Sequence, residues 1–404
     1  MPREHELRCL FVVLLLAACG ACETRAPEEN VLREERGDTL IFHWLADPPV
    51  VQVDTVLTMW RSPDLEDPRS MVRLRDRLVI ADRTRVHLLR VNGELIGTIG
   101  RSGEGPGEFR SVSAVGSIGD TILAFDVRLQ RLSYHAPDGT FLFTSRLQPI
   151  PRFGNWRRGG APLRFFDGGL LYVAEENVHL GEPPTQAALA WRAIGSDSAR
   201  VIRTWDDVVW RELGGRLIAH VEAFPPRALA AVGRDGRYAH GTGLEYCLDV
   251  ETVGSEKVTR LCRDWERVPV TGQVRDPDIA GLAERYDLGR QTQEIFEALI
   301  REQEISDFRP SYDELMFDDS GRLWVRTITP EGRDVHPHLA FLVPELAPTH
   351  RYWDVFDAEG LLLWTVRLPS RFDPRVVDDD MVYGFYELPS GEIVIGKAEL
   401  RQGG

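Results

Sequence analysis

Short apolar runs separated by polar turns fill most of the chain, and one unit of run and turn repeats. Residues 78–81 (LVIA) form a wholly apolar run that stops at Asp82, and a polar turn follows. Residues 86–91 carry a second run into Asn92-Gly93, and residues 94–99 supply a third. Runs this short, bounded by turn residues, predict strands rather than helices. Asn-Gly tolerates positive φ at both central turn positions, so the second and third strands are expected to form a hairpin. The third run ends in GRSGEGPGEF, where Gly103, Gly105 and Gly107 permit backbone angles closed to other residues. Pro106 stiffens that loop and Phe109 offers it an apolar anchor. A second copy follows at residues 122–147, ILAFDVRLQRLSYHAPDGTFLFTSRL, with Asp126 in the place of Asp82 and Asp138-Gly139 in the place of Asn92-Gly93. The step between copies, roughly 40–45 residues, is the length of a four-stranded blade.

The order of strand, Asp, strand, Gly turn, strand and Gly-rich loop resembles one blade of the NHL-type six-bladed β-propellers. It is closer still to the six-bladed propeller lipoproteins of bacteria. The resemblance covers residues 50–400 and is most specific at residues 78–109 and 124–143. It implies an all-β, six-bladed β-propeller. On that reading blade one spans residues 70–99 and blade two residues 112–147. Blade three (residues 162–205) keeps FFDGGLLYVAEE but loses the Asp-Gly turn, and blade four (residues 227–265) carries GRDGRYAHG. Then the period changes. Ile279, Leu282, Ala283 and Tyr286, followed by Ile295, Phe296, Leu299 and Ile300, recur at spacings of three and four, which predicts a small helical insertion over residues 276–306. Blade five resumes at DELMFDDSGRLWVRTITP and closes with WDVFDAEGLLLWTVRLP. Blade six, DDDMVYGFYELPSGEIVIGKAEL, supplies only about two strands. Closed propellers commonly complete the last blade with a strand from the start of the chain, which removes an exposed edge, and residues 50–60 are assigned that role.

Residues 1–8 are charged and residues 9–18 apolar, too short a run to span a bilayer as a helix but suited to a cleavable signal. The run ends in LAAC, which resembles the bacterial lipobox. The resemblance implies a lipoprotein signal peptide over residues 1–18, with Cys19 as the lipid acceptor. A lipidated tether would then cover residues 19–37, ahead of the propeller at residues 38–404. A plain signal peptide with an incidental cysteine is the alternative. Gly20 after the cysteine favours, by the same resemblance, the outer membrane, facing the periplasm. The hairpin LEYCLDVETVGSEKVTRLCRDW turns at Gly254-Ser255, which pairs Asp249 with Arg260 and Cys247 with Cys262. That leaves either a cross-strand disulfide in an oxidising compartment or two buried thiols. A two-residue loop would put the pair at a hydrogen-bonded site.

Lys and Arg total 48 against 63 Asp and Glu, a net charge of −15 that repels a phosphate backbone and argues against a nucleic-acid partner. Asp82 and Asp126 could mark a cation near a central channel, but acids at this point usually support a turn by accepting backbone amides. Calcium, the one cofactor considered, needs several oxygen ligands from different blades, and no matching set of Glu, Asn and Asp stands at equivalent positions. No metal ligand and no catalytic residue is therefore assigned. The Gly-rich loop leads into a strand, whereas a phosphate cradle needs a helix start behind it. His336-Pro-His338 falls in a predicted loop. RFGNWRRGG is basic and aromatic within an acidic protein, which makes Arg152, Trp156, Arg157 and Arg158 the ligand-binding candidates.

Three functions fit. The leading one is a membrane-anchored periplasmic propeller acting as a non-enzymatic binding or protein-interaction scaffold for an envelope protein, peptide or glycan. The alternative is a divalent-metal-dependent hydrolase or lactonase of the six-bladed type, with a cation polarising a carbonyl or phosphoryl oxygen. A third is a glycan or peptide binder that uses Trp156 and the neighbouring arginines.

Overall fold

A computed structural model describes residues 30–52, 58–61, 65–146, 156–158, 164–176, 186–194, 196, 198–206, 211–213, 216–218, 222–223, 228–272, 277–285, 289–302, 304–330 and 348–400. Six sheets follow one another as the blades of a six-bladed β-propeller. Blade one is Pro68–Leu74, Arg77–Asp82, Arg85–Arg90 and Leu95–Ile99, and blade two is Val112–Ile118, Thr121–Asp126, Arg131–His135 and Phe141–Arg146. Blade three has a divided innermost strand: Trp156–Arg158 and Arg164–Phe166 both pair with the same side of Gly169–Glu176, beyond which lie Gln186–Ala193 and Arg200–Asp206. Blade four runs from Leu229–Val232 through Arg237–Gly241 and Cys247–Thr252 to Val258–Arg263. Two helices, α1 (Ile279–Arg285) and α2 (Arg290–Glu302), separate it from blade five. Blade five is Tyr312–Phe317, Leu323–Thr327, His350–Phe356 and Leu362–Pro369, and blade six is Phe372–Asp378, Met381–Glu387 and Ile393–Glu399.

The start of the chain laps three outer edges in turn. Val31–Arg36 and Thr39–Trp44 form a hairpin whose second strand runs parallel to Val258–Arg263 of blade four. Val50–Gln52 then lies parallel to Leu362–Pro369 of blade five, and Thr58–Trp60 antiparallel to Ile393–Glu399 of blade six. Residues 50–60 are thus divided between two blades, and only Thr58–Trp60 completes the last one. The amide of Thr365 on the Pro49 carbonyl (2.9 Å) holds the first half at blade five. Blade six also has three strands of its own. Its innermost strand, Phe372–Asp378, carries Pro374 at a register shift, which hides it from pattern reading.

Blades pack on both faces, so neighbouring residues that point to opposite faces are both buried, and the strands read as unbroken apolar runs. One apolar cluster fills each boundary. Val79, Phe109 and Ile122 lie between blades one and two, Phe125 and Tyr172 between two and three, and Leu189 and Tyr238 between three and four. Leu261 and Phe356 lie between four and five, Trp353 and Phe372 between five and six, and Ile80 and Ile395 between six and one. Phe109 is fully buried, which stabilises the fold by about 1.5–3 kcal/mol. Its loop needs Gly100 at φ +81°, where a Cβ would come within 2.4 Å of the Phe109 ring. Glu108 fills the loop, accepting the Gly105 amide at 2.9 Å, and Arg131 of blade two donates to the carbonyls of Glu104 and Gly105. Gly103, Gly105, Pro106, Gly107 and Phe109 therefore sit in a linker between blades.

Cys247 and Cys262 are joined by a disulfide across the two outer strands of blade four, with Cα atoms 4.2 Å apart. The pair occupies a non-hydrogen-bonded site, because the Arg263 amide bonds the Tyr246 carbonyl one step along the ladder. The hydrogen-bonded site expected from a two-residue loop is not formed. Pairing stops at Glu251 and Val258, so the connection is longer.

Candidate functional site

Asp82 and Asp126, the repeated acids, do not face the channel as a pair of ligands. Asp126 accepts the amides of Arg128 and Leu129 in the following turn and those of Arg110 and Ser111 ahead of its blade. Asp82 accepts the equivalent upstream amides, Glu66 at 3.0 Å and Asp67 at 2.5 Å, and meets His87 Nε2 at 3.2 Å. Burial alone would raise the Asp82 carboxyl. The His87 contact and the two amides outweigh that and hold it below the usual range. Both acids tie the end of a second strand to the segment that leads into the channel.

The innermost strands line that channel, and their C-terminal ends converge at one mouth. A cavity of about 210 Å³ there is bounded by residues of all six blades. A second, of about 220 Å³, lies beside it between Val72, Val115, Gly116, Ser117, Arg164, Phe165 and Arg234. Gly116 is required by close approach, since a Cβ on it would fall 2.0 Å from the Phe165 ring.

Four guanidinium groups reach this mouth from four blades, and one of them, Arg375 of blade six, pairs with Asp373. Arg73 of blade one pairs with Asp378 of blade six. Arg234 of blade four pairs with Asp319 of blade five at 2.9 Å and also donates to the Arg73 carbonyl at 3.0 Å. Arg164 of blade three donates to the Val232 carbonyl at 3.3 Å, and among the described residues no carboxylate lies within ion-pair distance of it. Burial, then the like charge of Arg234, pushes Arg164 down to about 10, and Asp319 and Asp235 only partly offset this. Asp319 is pushed up by burial against the pull of Arg234, Arg164 and Arg73. Its amide bonds the Val377 carbonyl at 3.0 Å, which fixes the turn of blade five against blade six.

At the opposite end of the innermost strands the charges are matched. Arg326 makes two bonds to Asp313, at 2.6 and 2.9 Å, and a third contact to Glu314. Burial raises Glu314, and Arg326 works against that.

Cys19, Arg152, His336 and His338 lie outside the described residues. Trp156, Arg157 and Arg158, expected in a loop, form a short strand on the channel-side edge of blade three, in line with Arg164. Arg73, Arg164 and Arg234 carry no repeat signal, because the apolar second strands mark the repeat and the innermost ones do not. The signal they do carry is an arginine two or three residues before the first turn in blades one and three, and within that turn in blade four. Among the described residues no group of three or more His, Cys, Asp and Glu is placed to hold a metal ion, and no helix is long and apolar enough to cross a membrane.

Comparison with family models and with curated proteins gives no match. Solved structures are similar to this chain at low identity. A putative exported protein from Bacteroides fragilis is 14% identical, with a TM-score of 0.48, over 90% of this chain and 100% of that one. A member of the DUF4221 family from Bacteroides vulgatus is 10% identical, with a TM-score of 0.46, over 92% and 98%. The calcium-binding protein regucalcin from Agrobacterium tumefaciens is 10% identical, with a TM-score of 0.38, over 87% and 97%.

Proposed function

We propose that this protein is a propeller of the bacterial envelope, anchored by a lipid on Cys19, that binds a ligand at the channel mouth without transforming it. The observation that carries the reading is Arg164, a desolvated guanidinium on a cavity, with no carboxylate paired to it among the described residues. The groups around that cavity suit holding rather than turnover. A guanidinium keeps its proton at neutral pH and so neither donates nor accepts one during a reaction. Asp319 and Asp378 at the mouth are each engaged by an arginine, so a catalytic cation would have to displace Arg234 and Arg73. The envelope placement draws on the LAAC run and on the Cys247–Cys262 disulfide, which suits an oxidising compartment.

Melting the purified protein with calcium, other divalent ions or chelator tests the binding role, because a ligand that binds only the folded state raises Tm by mass action. The account expects no calcium-dependent rise. A rise reversed by chelator, joined to turnover that is lost on Asp319→Asn, would establish the metal-dependent hydrolase instead. Palmitate labelling of the expressed protein, abolished by Cys19→Ser, tests the anchor; undiminished labelling of that variant would reject it.

A further inference from the structure

The mouth also has a chemical preference, and deducing it rests on the binding role proposed above. We propose that it receives a small oxyanion, a carboxylate or phosphate group gripped by Arg164 with Arg234 beside it, on a ligand whose apolar part lies against Phe165.

The charge count comes first. Among the described residues, Arg73, Arg234 and Arg375 are each paired with an acid, Asp378, Asp319 and Asp373, and Arg164 is paired with none. The rim does not supply the missing negative charge. Asp235, which does act on Arg164, is held by Arg237 at 2.6 Å, and Asp120 is held by Arg75 at 2.5 Å. A positive charge is thus left over at the axis of a protein whose net charge is −15. Low-dielectric walls concentrate such a charge toward the cavity.

Donor geometry points the same way. A guanidinium presents a planar fork that bonds carboxylate or phosphate two oxygens at a time. Arg164 has one described hydrogen bond, a long one, so most of its N–H groups are uncommitted. A buried charge without a partner is costly, and a docked anion would remove that cost. Burial, and after it the like charge of Arg234, lowers the proton affinity of Arg164, in keeping with that imbalance.

Size and lining set the rest. At about 220 Å³ the cavity is smaller than sites for drug-sized ligands, which run from about 300 to 1,000 Å³. Val72, Val115 and Phe165 give it an apolar wall, and Ser117 adds a hydroxyl. That combination fits a small organic acid or phosphate ester. Blade three interrupts its innermost strand between Trp156–Arg158 and Arg164–Phe166, so the backbone of two further arginines stands on the same edge.

The test is calorimetric titration and thermal melting of the purified protein with sodium phosphate and, separately, sodium benzoate. Sodium chloride holds the ionic strength constant throughout. Saturable binding of one or both oxyanions is expected, and the tighter probe identifies the headgroup. Arg164→Gln should weaken it by about ten- to a hundred-fold, the range for losing hydrogen bonds to a charged group. Arg164→Lys, which keeps the charge but loses the fork, should fall between and serves if the Gln variant does not fold. No binding of either oxyanion, or equal binding by wild type and Arg164→Gln, overturns the inference. A calcium arm run in parallel separates the two claims. Failure of both oxyanions without a calcium response removes only the anion preference, whereas failure with a chelator-reversible calcium rise removes the binding role as well.

Discussion

At one end of the channel Arg326 spans Asp313 and Glu314, and Arg351 lies desolvated beside them. At the other end Arg73, Arg234 and Arg375 are paired with Asp378, Asp319 and Asp373, and Arg164 is left over among the described residues. Both ends bring arginines and carboxylates together. What differs is the match. Arg326, held by Asp313 and Glu314, closes the far end as a structural clamp within blade five. At the mouth three of four guanidinium groups are paired, and the fourth leaves an unsatisfied charge, which costs stability when empty and is relieved by an anion from outside. The same residue types therefore hold a blade together at one end and leave the mouth receptive at the other.

That contrast can be broken by substitution, and the largest effect should come from the clamp. Arg326→Met removes the two-bond partner of Asp313 and the contact to Glu314, both partly buried, so it should destabilise the fold by about 2–4 kcal/mol, read as a lowered urea midpoint at unchanged m. An effect below about 0.5 kcal/mol, the range of ordinary surface changes, would show the far end is not a clamp. At the mouth, Gly116→Ala drives a methyl into the Phe165 ring and should cost about 1–3 kcal/mol. A neutral result would mean that Phe165 moves freely and is no fixed wall. Arg164→Gln should have the opposite sign to Arg326→Met, leaving stability unchanged or raised by up to about 1 kcal/mol, since it removes a half-buried charge that no described carboxylate pairs. A loss of more than about 2 kcal/mol, a large fraction of a typical domain's stability, would make Arg164 structural.

The smallest effect is a slope against pH. Asp319 titrates above its unfolded value, so the folded state binds the extra proton, and stability falls as pH rises from about 3.9 through the raised folded value. Asp82 is the reverse case. Its depressed folded value gives stability that is present above the unfolded value and is lost as pH falls through the folded one. Urea midpoints from pH 3 to 7 should therefore show a flatter decline on the alkaline side for Asp319→Asn than for wild type. Parallel curves would mean Asp319 feels no net penalty from its burial.

How much of this was legible in the chain depends on which strand of a blade is asked. The second strands, LVIAD and ILAFD, are buried on both faces, so their composition marks them as strands and their acids mark the repeat. From them the six-bladed fold can be read, whereas the insertion carrying α1 and α2 shows in its three-and-four spacing and the strand from the chain's start in the short last blade. The division of residues 50–60 could not be read, because edge pairing is decided by which outer strand is free and not by local composition. The innermost strands were harder still. They face a channel and mix Arg73, Arg164 and Glu314 with apolar residues, so they lack the pattern that exposes a strand. The basic stretch at residues 156–158 was singled out by its charge alone, and the backbone puts it on the channel edge beside Arg164. Yet the pairing that leaves Arg164 without a carboxylate is assembled from blades one, three, four, five and six, and no local window contains it.

A crystal structure of the protein grown in phosphate would test the central claim most directly. The account predicts phosphate at the mouth, within hydrogen-bond distance of the Arg164 guanidinium, with the Arg326 clamp unchanged and unoccupied. Phosphate bound beside Arg351 at the far end, with the mouth empty, would contradict it.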